Sequence, residues 1–312
     1  MSKNVLITGG AGFFGSKLSE KLLENGYNVT VYDILYFGDD GIKPFLNNSN
    51  YQFIKGCVMD YVKLESIVAK NDIIINLAAY VGEPICKINK EESYRVNSDA
   101  AIFLAKICDD QNKQFLFLST CSNYGKNDLI VDETSELNPL GIYSSSKIKA
   151  ENFIIENVKS YLILRCSTLF GVSHRMRVDL TINQFIYEIY KDGEISLYGE
   201  QAWRPYVHIE DACNMIILSL EKNLTGVYNL GDESLNYTKR EIIDELLSFK
   251  NFKVNKVDWD DPRDYKVNFS KIKSKLDYKI KFDLKSGINE LSDYFNSENF
   301  KDKKSITNDN RN

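Results

Sequence analysis

Val5-Leu6-Ile7-Thr8-Gly9-Gly10-Ala11-Gly12-Phe13-Phe14-Gly15 decides the fold. Val5–Thr8 is short and apolar, the pattern of a buried strand, and it empties into glycines at 9, 12 and 15. Phe14, Leu18 and Leu22 then recur at four-residue spacing, the stripe of a helix with one buried face. Glycines spaced G-x-x-G-x-x-G between a strand and a helix let the backbone turn tightly and come close to a pyrophosphate. The helix N-terminus adds unpaired N–H groups and the positive end of its dipole. Gly9, Gly12, Phe13, Phe14 and Gly15 are therefore candidate contacts to a dinucleotide.

Working outward, Val29–Asp33, Tyr51–Lys55, Ile73–Leu77, Phe115–Ser119 and Tyr161–Arg165 repeat the buried-strand pattern. Helical stretches separate them, one with Val96, Ala100, Phe103, Leu104 and Ile107 on a single stripe. This alternation predicts an α/β fold: a Rossmann-type doubly wound parallel sheet over residues 1–170. Asp211–Leu220 reads as an apolar helix, and the 205–225 segment is expected to pack back on that sheet. From Gly171 the pattern becomes irregular, as a smaller C-terminal substrate-binding domain over 171–295 would show, and 296–312 reads as a frayed polar tail. Asp33 closes the second strand, 21 residues beyond Gly12. A carboxylate there accepts hydrogen bonds from ribose hydroxyls and repels a 2′-phosphate, and no Arg or Lys stands between it and Lys43. NAD is favoured over NADP.

The 312 residues are 43% hydrophobic and 27% charged, which excludes a fibrous or wholly disordered chain. A net charge of −5 leaves no electrostatic footprint for nucleic acid or anionic lipid. No apolar run approaches a signal peptide or a membrane span. Six cysteines lack any C-x-x-C spacing and two histidines stand apart from them, so reduced thiols, a cytoplasmic location and no metal site are expected.

Tyr143-Ser144-Ser145-Ser146-Lys147 puts Tyr and Lys at i and i+4, on one helix face. A phenol with its ordinary pKa near 10 is a poor base at neutral pH. Lowering it by roughly 3 units takes about 4 kcal/mol, within reach of two close cations in a dry cleft. The pair follows the fifth strand, which ends in the hydroxyl-rich Ser119-Thr120-Cys121-Ser122-Asn123-Tyr124-Gly125 at the ligand-binding edge of such a sheet.

The chain resembles the extended short-chain dehydrogenase/reductases, the nucleotide-sugar epimerase/dehydratase family. The matching pieces run in order from T-G-G-A-G-F-F-G (8–15) through Asp33, N-L-A-A (76–79), Asn97, S-T-C-S-N-Y-G (119–125), Y-S-S-S-K (143–147) and L-R-C-S-T-L-F-G (164–171). They continue with R-P-Y-V-H-I-E-D (204–211), Y-N-L-G (228–231) and D-P-R-D-Y (261–265). The resemblance implies that Leu77, Ala78 and Ala79 join the glycine turn at NAD, that Tyr143 is the acid/base and that Lys147 bonds the nicotinamide ribose. It also implies that Thr120 holds the sugar hydroxyl being oxidised, with Cys121 and Ser122 beside it, and that Arg204 and Arg263 clamp a nucleotide-sugar diphosphate. Arginine suits that task because its planar fork pairs with phosphate oxygens. Arg177 and Asn183 fall where relatives border the substrate, and homodimers are usual.

Departures narrow the activity. Relatives that eliminate water across C5 and C6 carry Asp-Glu after the catalytic Thr, where this chain has Cys121 and Ser122; a thiol and a hydroxyl do not replace a carboxylate pair. Cys57 stands where relatives place an Asp near the adenine, and Asn123 where a Val is common. His208 reads as structural. The expectation is an NAD-dependent 4-epimerase of a nucleotide-diphosphate sugar with a transient 4-keto intermediate, or a net C4 dehydrogenase or ketoreductase. C-K-I-N (86–89), H-R-M-R-V-D-L (174–180) and D-P-R-D-Y also resemble enzymes that oxidise C4 of GDP-linked heptoses. A non-catalytic NAD-sensing protein would tolerate loss of Thr120, Tyr143 or Lys147, and all three are present.

Overall fold

Alternation within single strands builds the core. In Val5-Leu6-Ile7, Val5 and Ile7 pack into one layer with Leu18, Leu22 and Leu164, while Leu6 enters the opposite layer with Leu64, Leu104 and Ile154. Side chains of successive strand residues point to opposite faces, so a run apolar at every position must be covered on both. The computed structural model describes residues 3–258, 261–297 and 300.

Seven parallel strands form the main sheet: β1 (Asn4–Thr8), β2 (Asn28–Asp33), β3 (Tyr51–Lys55), β4 (Ile73–Asn76), β5 (Gln114–Thr120), β6 (Leu162–Cys166) and β7 (Gly226–Leu230). Their order is β7-β6-β5-β4-β1-β2-β3, a doubly wound sheet that reverses between β1 and β4. Ligands bind at such a switch point, beyond the carboxyl ends of the strands. The six strands expected from sequence are present within one residue of their expected limits. The seventh was hidden because Asn229 interrupts its apolar pattern; fully buried, Asn229 accepts the Tyr124 hydroxyl at 2.7 Å and donates to the Asn268 carbonyl.

The helices that matter for the site are α1 (Phe13–Glu24), α2 (Tyr61–Val68), α3 (Glu83–Ile88), α4 (Ala101–Asp110), α5 (Ile142–Asn157), α6 (Thr181–Asp192), α7 (Ile209–Glu221), α8 (Lys239–Phe249) and α9 (Leu284–Asn296). The stripe from Val96 to Ile107 is not one regular helix, since Arg95–Ala100 adopts π geometry before α4. The extra residue per turn aims the buried Asn97 amide at the backbone of Tyr80. The 205–225 segment packs against the first half, with α7 lying on α1. Asn296 belongs to α9 rather than to a tail, and Phe300 meets the Phe295 ring edge-on at 5.0 Å. Residues 298–299 and 301–312 of the expected tail lie outside those described.

Smaller sheets cap the carboxyl edge. Trp203–His208 pairs parallel with Thr168–Phe170 and antiparallel with Asn236–Thr238. Asp264–Val267 pairs with Lys126–Val131, and its first residue accepts the Trp203 N–H at 2.8 Å. These pairings bring the D-P-R-D-Y segment beside Arg204.

Candidate active site

The strand ends and the capping sheets enclose one cavity of ≈ 1180 Å³. At one end lies the glycine turn. Gly9 has φ +75°, and a Cβ on it would stand 2.6 Å from the Ala78 nitrogen. A Cβ on Gly15 would stand 2.5 Å from the Gly10 Cα, so glycine is required for α1 to seat against the turn. Gly12 is the N-cap of α1 and no side chain caps the helix, which leaves its first-turn amides facing the cavity with Phe13, Phe14 and Gly15. The Asp33 carboxylate accepts Ala11 N–H at 3.0 Å and Leu35 N–H at 2.7 Å. Burial raises its pKa, and these bonds reverse only part of the rise. Leu77, Ala78 and Ala79 complete that wall. This cradle fits NAD: the uncapped amides suit a pyrophosphate and Asp33 suits a ribose diol.

At the middle stand Thr120 and Tyr143. Thr120 ends β5 and caps the short helical turn Cys121–Tyr124 through Ser122 N–H at 3.1 Å. Its hydroxyl lines the same cavity as the Tyr143 phenol on α5 and stands near enough to favour the phenolate. Burial, followed by Cys86 and Cys166, pushes the Tyr143 phenol up, and Arg177 and the Thr120 hydroxyl reverse only part of that rise. Lys147, one turn along α5, is buried with its ammonium 4.0 Å over the Phe117 ring. Burial pushes its pKa down to about 7 against the opposing pull of Glu151 and Cys86. That ammonium has no hydrogen-bond partner among the described residues, a deficit that ribose hydroxyls would fill.

At the far end Arg204, Arg263 and Lys239 surround Asp261. Arg204 Nη2 lies 2.7 Å and Arg263 Nε 3.1 Å from Asp261 Oδ1, with Lys239 Nζ 3.7 Å from Oδ2. Burial works to raise the Asp261 pKa, but Arg204, Arg263 and Lys239 outweigh it and hold the carboxyl at about 2. Three cations to one carboxylate leave an excess of positive charge on this wall, the complement of a diphosphate.

Two expected substrate contacts stand elsewhere. The Cys121 thiol is buried, donates to the Arg165 carbonyl at 3.1 Å and does not line the cavity. Cys121 packs in the layer of Leu116 rather than that of Phe115 and Phe117, so the alternation of β5 breaks at the turn and does not indicate where the thiol points. Asn183 is fully buried on α6, where it binds Gly171 N–H and donates to the Gly171 and Arg177 carbonyls. It shapes the loop that carries Arg177 rather than facing the cavity. Ser122 and Arg177 line the cavity, and Arg177 is clamped by Asp179 at 2.7 and 3.1 Å. His208 caps α7 through Glu210 N–H and binds Glu290 at 2.8 Å. Asn123, left unexplained by sequence, donates to Glu151 at 2.7 Å. Lys239 and Asp261 were missed, although Thr238-x-x-Glu241 is a legible capping box that fixes where Lys239 begins its helix.

The model of the NAD dependent epimerase/dehydratase family matches residues 5–231. UDP-glucuronic acid decarboxylase 1 of Xenopus tropicalis is 26% identical over 313 residues, covering 95% of this chain and 73% of its own. dTDP-D-glucose 4,6-dehydratase of Dictyostelium discoideum is 30% identical over 257 residues, covering 74% of this chain and 58% of its own. The crystal structure of UDP-glucuronic acid 4-epimerase from Bacillus cereus, in complex with UDP-glucuronic acid and NAD, superposes with a TM-score of 0.84 at 25% identity. It covers 94% of this chain and 98% of that one. Among the described residues, no helix is long and apolar enough to cross a membrane.

Proposed function

The chain belongs to the NAD dependent epimerase/dehydratase family, and from that premise we propose that it is a 4-epimerase of a nucleotide-diphosphate sugar. It is an NAD-dependent enzyme. The observation that carries the reading is the Thr120–Tyr143 hydroxyl pair, set midway in one cavity between the glycine turn and the Arg204–Arg263–Lys239 wall. NAD, when bound, would supply a hydride acceptor for C4 and a positive charge that favours the Tyr143 phenolate. Thr120 holds the C4 hydroxyl by hydrogen bond and Tyr143, as phenolate, takes its proton. Lys147 bonds the ribose and favours that phenolate by its charge. Once the sugar has turned its other face, Tyr143 gives its proton to the 4-keto oxygen while C4 takes back the hydride that NAD would carry, which yields the inverted alcohol and leaves no net reduced nicotinamide. Arg204, Arg263 and Lys239 hold the diphosphate while the sugar turns.

Elimination of water is disfavoured because a buried thiol and the Ser122 hydroxyl follow Thr120 in place of a carboxylate pair. The proposal extends to a cytoplasmic homodimer: six free thiols suit a reducing compartment, and dimerisation rests on analogy with the fold. The test is an absorbance spectrum of the NAD-loaded enzyme with UDP-, GDP-, dTDP- and CDP-sugars, UDP-glucuronic acid included, followed by product NMR. A C4-inverted sugar with no net reduced nicotinamide is expected. A lasting reduced-nicotinamide band with a 4-keto product would make it a dehydrogenase, and loss of carbon dioxide a decarboxylase.

Lys239 gives a further expectation. Burial first, then Arg204 and Arg263, push its pKa down to about 8, against Asp261. Its charge is present below that value and lost as pH rises through it. The KM of the active sugar nucleotide should therefore climb above pH 8 by up to about tenfold. Steady-state kinetics of Lys239→Met should show the raised KM at every pH and no climb.

A further inference from the structure

Helix α5 carries both Tyr143 and Lys147, yet its N-cap is Gly141, which has no side chain to offer the first-turn amides. Glu83, the first residue of α3, provides the cap from outside. Its Oε2 accepts Ile142 N–H at 3.0 Å and its Oε1 accepts Tyr143 N–H at 2.9 Å. Both carboxylate oxygens are thus committed to consecutive amides of the turn that presents the Tyr143 phenol. A negative charge there also matches the positive end of the helix dipole.

Gly141 is the counterpart of this contact. A Cβ on it would lie 2.1 Å from the Glu83 carboxyl carbon, so a local serine or aspartate cap and the Glu83 cap exclude each other. The other end of the same segment is also fastened. Asn97 accepts Tyr80 N–H at 2.8 Å, donates to the Tyr80 carbonyl, and reaches Ser146 of α5 at 3.0 Å. Residues 80–83 therefore strap across the front of α5, joined to it through Asn97 and directly by Glu83. Glu83 itself lines the cavity.

We propose that Glu83 is a positioning residue: it fixes the first turn of α5 so that the Tyr143 hydroxyl meets Thr120 and the substrate. This rests on the reading of Tyr143 as the acid/base. Three variants of the NAD-loaded enzyme test it, namely Glu83→Ala, Gly141→Ser and the two combined. Each is assayed with whichever of UDP-, GDP-, dTDP- and CDP-glucose the enzyme turns over, and by hydrogen exchange at the Ile142 and Tyr143 amides. Each single variant should lose about 10- to 100-fold in kcat with KM unchanged, and should exchange those amides faster. The double variant should regain protection and most of kcat, because removing the Glu83 carboxylate makes room for the introduced serine, whose hydroxyl caps the same turn.

A shift of the acid limb of the pH–kcat profile in Glu83→Ala, with no rescue in the double variant, would overturn the proposal in favour of a purely electrostatic role. So would unchanged amide exchange in Glu83→Ala. Exchange is read without turnover: faster exchange with no effect on kcat would show that the cap is real and that the reading of Tyr143 has failed. Should Glu83→Ala not fold, Glu83→Gln, with a single acceptor oxygen, should give an intermediate exchange rate; a wild-type rate would overturn the proposal.

Discussion

Tyr143→Phe should lower kcat by about three orders of magnitude, within the range that a positioned acid/base contributes. The substitution removes one oxygen and keeps the ring, so the packing of α5 and the cradle for NAD should survive. The loss is large because no other described group is placed to substitute. Ser122 lines the cavity but lacks the basicity, and the Glu83 carboxylate is committed to two amides. Thr120→Val should cost less, about tenfold, because it removes one hydrogen bond to the substrate hydroxyl and leaves the phenolate in place. The measurement is turnover at saturating sugar nucleotide beside an NAD titration of each variant. Retention of more than about a tenth of wild-type kcat in Tyr143→Phe would remove Tyr143 from the mechanism.

Why the two ends of the cavity differed in legibility follows from the physics that forms them. The NAD end is local in sequence: β1, the glycine turn and α1 are contiguous, and Gly9 and Gly15 are dictated by backbone contacts within that unit and with Ala78. Tyr143 and Lys147 were likewise legible because helix spacing puts them on one face. The arginine-rich end is assembled from Trp203–His208, the start of α8 and the 261–265 segment, held together by strand pairing with Asn236–Thr238, the Asp264 bond to Trp203 and the ion pairs on Asp261. No periodicity announces such a juxtaposition. Arg204 and Arg263 could be named only through a resemblance, and Lys239 and Asp261 not at all. Cys121 and Asn183 show the converse error, since adjacency to a site residue says nothing about which way a side chain points. Glu83 was silent because its function is to cap a helix 59 residues away.

The largest effect on stability is expected at Glu151, one further turn along the face that carries Tyr143 and Lys147. Its carboxylate is fully buried and pairs with Arg165 at 2.8 Å, while Ser119 and Asn123 donate to its other oxygen. Arg165 in turn donates to the Tyr124 hydroxyl at 3.0 Å. Burial works to lower the Arg165 pKa, and Glu151 followed by Tyr124 more than reverses it. Glu151→Ala leaves a buried guanidinium without its counter-ion and two donors without an acceptor. The expected cost is about 3–5 kcal/mol. For a chain of 312 residues that corresponds to a fall of roughly 5 to 8 °C in Tm. Replacing both partners by methionine should recover much of the loss, because the penalty lies in the unpaired charge rather than in the missing attraction. Glu151 also supports the Lys147 ammonium. That charge is present below its pKa of about 7 and is lost as pH rises through it, so removing Glu151 moves the loss to lower pH. Glu151→Gln, which nearly preserves shape, should therefore weaken NAD binding at neutral pH more than at pH 6. A pH-independent NAD affinity in Glu151→Gln would mean that the buried pair only braces the fold, and that Lys147 keeps its proton by other means.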